Sequence, residues 1–74
     1  MPYFAEQVHS RLETNGAYYT VHAIDENGKP AFSAVVFQPI HGAPTVASSP
    51  DSPGVSDEEV LAVYTAWSAL PEAN

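Results

Sequence analysis

Residues 15–28 read NGAYYTVHAIDENG, and this stretch decides the fold because an Asn-Gly pair stands at each end of a segment rich in strand-forming residues. Asn-Gly is the strongest short-range signal for a two-residue hairpin turn, in which both central residues take positive φ. The pairs Asn15-Gly16 and Asn27-Gly28 lie twelve residues apart. We therefore predict a three-stranded antiparallel meander over residues 3–38.

The two turns also predict a register, and paired residues point to the same face of a sheet. The expected pairs are Glu26–Lys29, Asp25–Pro30, Ile24–Ala31, Ala23–Phe32 and so on to Tyr18–Phe37 at the second turn, and Leu12–Tyr19, Ser10–Val21 and Val8–Ala23 at the first. One face then gathers the apolar residues Val8, Leu12, Tyr19, Val21, Phe32 and Val36. An alternative remains open for residues 3–13, because the spacing of Phe4, Val8 and Leu12 also fits a short helix that Asn15-Gly16 would cap.

The remainder of the chain divides into a loop and a helix. Residues 39–55 contain four prolines and two glycines, which is typical of a loop, with Thr45-Val46-Ala47 as a short extended piece. Ser56 and Glu59 have the spacing of a capping box and predict a helix over residues 56–70. Its apolar stripe is Val60, Val63, Tyr64, Trp67 and Leu70. We expect one α+β domain over residues 1–74, with the layout βββα and the helix packed on one face of the sheet.

The charge of the chain limits its partners. Arg11 and Lys29 are the only basic side chains against nine acids, which gives a formal charge of −7, and there is no cysteine. This surface repels phosphate backbones, so we expect no direct binding to nucleic acid, and it attracts basic proteins. The sequence has no basic-then-apolar leader and no apolar run of membrane-spanning length, so we predict a cytoplasmic protein without a membrane partner. The acids form two clusters, Glu6, Asp25 and Glu26 at one end of the sheet and Asp57, Glu58 and Glu59 at the helix start.

The second face of the predicted sheet has no further element to cover it. Such a face is normally polar, yet this one carries Tyr18, Ile24, Val35 and Phe37. Exposed apolar patches mark protein contact sites, with aromatic residues as the main anchors. The alternative is that the proline-rich loop folds back over this face. The predicted binding residues are Tyr18, His22, Val35 and Phe37, together with Asp25 and Glu26.

Three histidines raise the question of catalysis or metal binding. The predicted register puts His9, His22 and Ser33 in one row, which offers a nucleophile and a base. An orienting group and oxyanion donors are not evident, and the spacing of these histidines and His41 matches no zinc pattern. We therefore predict no catalytic residue, no metal site and no cofactor. A small histidine-dependent hydrolase or metal protein is the less favoured alternative.

In size, acidity and layout the chain resembles the small phage-encoded inhibitors of bacterial defence, of the anti-CRISPR kind. The resemblance covers the whole chain and rests on the two Asn-Gly turns and the capped helix that starts at Ser56. It involves no motif, so it transfers no residue roles. It implies a non-enzymatic module that docks on a basic, nucleic-acid-handling protein and occludes its site. The competing expectation is a structural or regulatory homodimer that packs through the exposed sheet face.

Overall fold

The computed structural model describes residues 3–70, which form four strands followed by one helix. The strands are β1 (Phe4–Glu13), β2 (Gly16–Ile24), β3 (Pro30–Pro39) and β4 (Thr45–Ser48), and the helix is α1 (Asp57–Ser68). All four strands pair antiparallel in the order β1-β2-β3-β4. The α+β class is confirmed, but the prediction of three strands is wrong because the loop contributes β4.

The first segment is a strand along its whole length, so the helical alternative for residues 3–13 is wrong. Its pairing with β2 is interrupted by a bulge at Glu6, between the pairs Ala5–Ala23 and Gln7–His22. The bulge turns Ala5 toward the helix side of the sheet, where Ala5 packs against the core.

The first hairpin turns at residues 14 and 15, one position earlier than predicted, because Glu13 pairs with Gly16. No residue other than glycine has positive φ in the range 3–70, so Asn15 does not take the expected turn conformation. The register therefore differs by two residues from the prediction, and Leu12 pairs with Ala17. Because side chains alternate with a period of two, this shift leaves them on the predicted faces. The other corrected pairs are Ser10–Tyr19 and Val8–Val21.

The second hairpin is closed by Asp25 and Lys29 around a three-residue loop. The Asp25 N–H donates to Lys29 O at 2.9 Å, and the Gly28 N–H donates to Asp25 O at 3.0 Å. Gly28 has a φ of 80°, which glycine adopts without strain. The expected pairs Glu26–Lys29, Asp25–Pro30 and Ile24–Ala31 are therefore wrong, since Ile24 pairs with Pro30 and Ala31 forms a bulge. Beyond the bulge, the predicted pairs from Ala23–Phe32 to Tyr18–Phe37 are confirmed.

The proline-rich segment binds the free edge of β3. Within β4, Val46 pairs with Val36. Farther on, the Asp51 N–H donates to Ser33 O at 3.2 Å, and Asp51 Oδ1 accepts the Ser33 N–H at 2.9 Å. The Ser52 hydroxyl donates to Ala31 O at 2.7 Å. These bonds satisfy backbone groups of β3 that lie beyond the reach of β4.

The capping box at the start of α1 is confirmed. Ser56 Oγ accepts the Glu59 N–H at 3.2 Å, and Glu59 Oε1 accepts the Ser56 N–H at 3.0 Å. The helix packs on the face of the sheet that carries the apolar residues. The buried core consists of Val21, Ala23, Phe32, Ala34, Val36, Val60, Val63 and Tyr64.

Two predicted core residues are exposed. Leu12 is 82% exposed and Leu70 is 65% exposed, so the prediction that both side chains are buried between the helix and the sheet is wrong. Leu70 lies beyond Ser68, the last residue of α1, and for Leu12 the lengths differ: the twelve-residue helix spans about 18 Å, whereas the ten residues of β1 span about 33 Å. The hairpin that carries Leu12 therefore extends beyond the helix. Val8, Tyr19 and Trp67 pack against the core as predicted, each partly buried.

Candidate binding face

The side of the sheet opposite α1, here called the outer face, carries the side chains that alternate with the core positions. Those of β2 and β3 are half-buried, whereas their immediate neighbours in sequence on the helix side are mostly buried. In residues 3–70 no helix packs on this side. The outer face consists of Gln7, His9, Arg11, Tyr18, Thr20, His22, Ser33, Val35 and Phe37.

Tyr18 and Phe37 form an aromatic pair on the outer face. They are direct cross-strand partners, and their ring centroids lie 4.9 Å apart at an angle of 49°. The Arg11 guanidinium lies 5.1 Å from the centroid of the Tyr18 ring, within the range of a cation–π contact. Arg11 Nε is also 3.0 Å from Glu13 Oε2. The aromatic pair is therefore held in place within the chain, and one of the two basic side chains is already engaged.

Val35 lies beside this pair in a shallow cleft across the sheet. It pairs with Thr20 on β2 and with Ser48 on β4. The cleft is lined by His9, Ser10, Arg11, Tyr18, Thr20, Val35, Ala47 and Ser48. The alternative in which the proline-rich segment folds back over this face is not what the structure shows: the segment pairs with the edge of β3 and extends the sheet sideways. The outer face is one strand wider than predicted.

The predicted row of His9, His22 and Ser33 is corrected by the register. His9 pairs with Thr20, and His22 lies one diagonal step away with a ring-centroid separation of 5.6 Å. Ser33 is the direct partner of His22, and its Oγ lies 2.8 Å from His22 Nδ1. The structure thus brings all three side chains together, with His9 placed diagonally rather than in line.

This cluster contains one element of a hydrolytic site, a hydroxyl within hydrogen-bond reach of an imidazole. A base of this kind is normally oriented by a third group on its other ring nitrogen. The hydrogen bonds found among residues 3–70 connect the His22 ring to Ser33 alone. The same residues include no group of three or more His, Cys, Asp or Glu side chains placed to hold a metal ion.

Asp25 and Glu26 lie apart from the aromatic pair, at the turn between β2 and β3. Asp25 Oδ1 accepts the N–H groups of Asn27 and Lys29 at 2.8 and 3.0 Å, so this carboxylate stabilises the turn. Glu26 is exposed. Of the two predicted acidic contacts, Glu26 is therefore the more accessible to a partner.

Two members of each acidic cluster of the sequence line clefts beside Tyr3. One cleft beside Tyr3 is lined by Asp25 and Glu26, and another is lined by Glu58 and Glu59. We call this region the acidic end. A turn and a helix start that are about thirty residues apart in the chain thus contribute to one negatively charged surface.

Sequence reasoning missed two residues that shape the outer face. Arg11 is the direct cross-strand partner of Tyr18 because the first hairpin turns one residue early, and no local pattern signals that shift. Asp51 holds the backbone of Ser33 across eighteen positions of sequence. An Asp within a Pro- and Ser-rich stretch has no spacing that would predict this contact.

No family model, no curated protein and no solved structure matches this chain. The helix of the described region is too short and too polar to cross a membrane.

Proposed function

We propose that the protein is a non-enzymatic, acidic binding module that docks on a basic, nucleic-acid-handling protein and blocks its site. The observation that carries the proposal is the preformed Tyr18–Phe37 pair on the outer face. Aromatic residues dominate interface energetics, and rings that are already packed lose little freedom on binding. Val35 extends the apolar surface beside the pair.

The charge of the chain supports a basic partner. The formal charge is −7, and Arg11, one of the two basic side chains, is paired with Glu13. The acidic end adds a local concentration of carboxylates around Tyr3. Surfaces of opposite charge accelerate encounter and select against wrong partners. A protein surface that grips nucleic acid is rich in Lys and Arg and therefore has the complementary charge.

The mechanism in this proposal is occlusion. The aromatic pair and Val35 supply the apolar contact, while His22 and Glu26 contribute polar contacts at its edge. The acidic end would occupy part of the surface that normally binds phosphates, as in the inhibitors of bacterial defence that the layout resembles. No reaction is required, because a bound module of this size excludes the nucleic acid sterically and electrostatically.

The test compares three immobilised proteins exposed to a bacterial lysate at low and high salt: the wild type, the double variant Tyr18→Ser/Phe37→Ser, and the control Leu12→Ser, which changes an exposed residue outside the outer face. Circular dichroism first establishes that all three are folded. We expect the wild type and the control to retain a basic nucleic-acid-handling protein at low salt, and the double variant to lose it. The added wild type should then reduce the binding of that protein to nucleic acid.

A second pair of substitutions separates charge from apolar contact. Glu26→Gln/Glu58→Gln removes two exposed charges of the acidic end without changing side-chain size. We expect slower association and a weaker dependence on salt, with the aromatic contact intact. Retention of the same proteins by all variants, or recovery of acidic partners alone, would refute the proposal.

A homodimer is the second candidate, and the breadth of the outer face favours it. Tyr18 on β2 and Val35 and Phe37 on β3 are half-buried on one face of the four-stranded sheet, which a second copy could cover. Sedimentation of the wild type over a wide concentration range decides the matter. A monomer at all concentrations eliminates the homodimer, whereas a dimer that dissociates in the Tyr18→Ser/Phe37→Ser variant would replace the inhibitor proposal for this face.

A further inference from the structure

His9 and His22 lie at a separation that suits two ligands of one metal ion. Their ring centroids are 5.6 Å apart, and the rings are inclined at 79°. With a metal–nitrogen distance of about 2.0–2.1 Å, two imidazoles on a tetrahedral ion have ring centres about 5 Å apart. The observed separation is slightly larger, and His9 is an exposed side chain on an edge strand. We propose that His9 and His22 form a surface site for a divalent transition metal ion of the Zn²⁺, Ni²⁺ and Cu²⁺ class.

The hydrogen bond of His22 prepares it for this role. Nδ1 lies 2.8 Å from Ser33 Oγ, on the β3 side of the ring. When Nδ1–H donates to this hydroxyl, Nε2 carries the lone pair and is directed away from β3. His9 lies on the other side, on β1. Metal-bound histidines characteristically donate their second nitrogen to such a partner, which fixes the tautomer and the ring orientation.

Ser33 is itself held in position from outside the sheet. Its N–H donates to Asp51 Oδ1 at 2.9 Å, and its carbonyl accepts the Asp51 N–H at 3.2 Å. The chain Asp51–Ser33–His22 therefore ties the ligand to both β3 and the loop. His9 is exposed and completes the pair from the edge strand. Water would fill the remaining positions of the ion.

The chemistry of the two ligands selects the metal. Imidazole suits Zn²⁺, Ni²⁺ and Cu²⁺, whereas Mg²⁺ and Ca²⁺ prefer oxygen ligands. The charge of −7 favours cations in general. The nearest positive charge in sequence to His9 is that of Arg11. Its guanidinium lies over the Tyr18 ring and is paired with Glu13, which offsets its charge.

Zinc titration followed by NMR of the histidine side chains tests the proposal. We expect the imidazole signals of His9 and His22 to shift along one shared curve that saturates at one zinc per chain. The signals of His41 should stay unchanged, and Mg²⁺ should produce no shift. His9→Gln and His22→Gln should each weaken zinc binding by about tenfold or more, and Ser33→Ala by about tenfold.

The control variant is His41→Gln, which should bind zinc as the wild type does. Circular dichroism without metal establishes that each variant is folded. The proposal is overturned if His9 and His22 respond with different midpoints, if either single variant binds as tightly as the wild type, or if a large excess of zinc shifts neither residue.

Discussion

Gly16 lies close against the Cζ atom at the tip of the Phe37 ring. A Cβ atom built on Gly16 would come within 2.8 Å of Phe37 Cζ and within 2.8 Å of Pro39 Cα. Gly16 does not have the positive φ that the Asn-Gly pattern suggested. Glycine is needed at this position because the backbone of β3 and the Phe37 ring approach so closely.

The substitution Gly16→Ala should therefore destabilise the protein by about 1–3 kcal/mol, since the added methyl group displaces either Phe37 or the β3 backbone. The free energy of unfolding in urea measures the effect. Gly28→Asn is the matched control: Gly28 has a φ of 80° and open space around it, and Asn tolerates this conformation, so the loss should be about 1 kcal/mol or less. Equal stability of Gly16→Ala and the wild type would contradict the close approach.

Truncation should affect the free energy of unfolding much less at Leu12 than at Val36. Leu12 is 82% exposed, so Leu12→Ser should change the free energy of unfolding by no more than about 0.5 kcal/mol. Val36 is fully buried, so Val36→Ala should lower the free energy by about 2 kcal/mol through lost burial and a residual cavity. Chemical unfolding of both variants checks the pair. A large loss in Leu12→Ser would mean that the helix reaches the end of the hairpin.

Removal of the helix cap should have a distinct effect. Ser56→Ala leaves the Glu59 N–H without its acceptor and should lower the free energy of unfolding by about 1 kcal/mol. Ser68→Ala is the control in the last turn of the same helix. Its exposed hydroxyl donates only to Thr65 O, so we expect a change of about 0.5 kcal/mol or less. Thermal and urea unfolding of the two variants should rank them in this order.

Stability should decrease at high pH because of Tyr64. Burial raises the pKa of Tyr64 above its ordinary value of 10.0, and Tyr19 raises it further. The Tyr64 hydroxyl donates to Gln38 Oε1 at 3.1 Å. The unfolded chain therefore loses this proton at a lower pH than the folded chain does. The stabilisation is fully present below pH 10, the unfolded pKa, and is lost as the pH rises through the folded pKa.

Tyr64→Phe isolates this contribution. The variant should lose about 0.5–1.5 kcal/mol at neutral pH, because the hydrogen bond to Gln38 is removed. It should also show a smaller decline in stability above pH 10 than the wild type does. Unfolding curves at several alkaline pH values, with tyrosinate absorbance as a second readout, test both effects. An identical alkaline decline in the two proteins would exclude Tyr64 as its source.

The sequence predicted which side chains share a face better than it predicted the turns. The hydrophobic alternation of β2 and β3 determines the pairs from Ala23–Phe32 to Tyr18–Phe37, because a slip of one residue would expose the core. The turns are determined by contacts that the Asn-Gly pattern does not contain. In the second turn, the Asp25 carboxylate accepts two backbone N–H groups. In the first, the β3 backbone approaches Gly16 too closely for a larger residue.

The fourth strand and the details of the outer face depend on contacts between distant segments. Val46 adds to the sheet because β3 has an unpaired edge, which is a property of the assembled meander rather than of residues 45–48. The predicted register put His9 directly opposite His22, and the shifted first hairpin places them diagonally instead.

The two outer edges of the sheet differ in a way that limits fibre growth. β1 exposes the edge of a ten-residue strand, whereas β4 exposes only four residues between Pro44 and Pro50. A strand from another chain would therefore add to β1. If that chain were a second copy joined through its own β1, both ends of the combined sheet would be β4, where prolines and shortness oppose further addition. Within the described fold, edge-to-edge addition beyond two chains is therefore disfavoured.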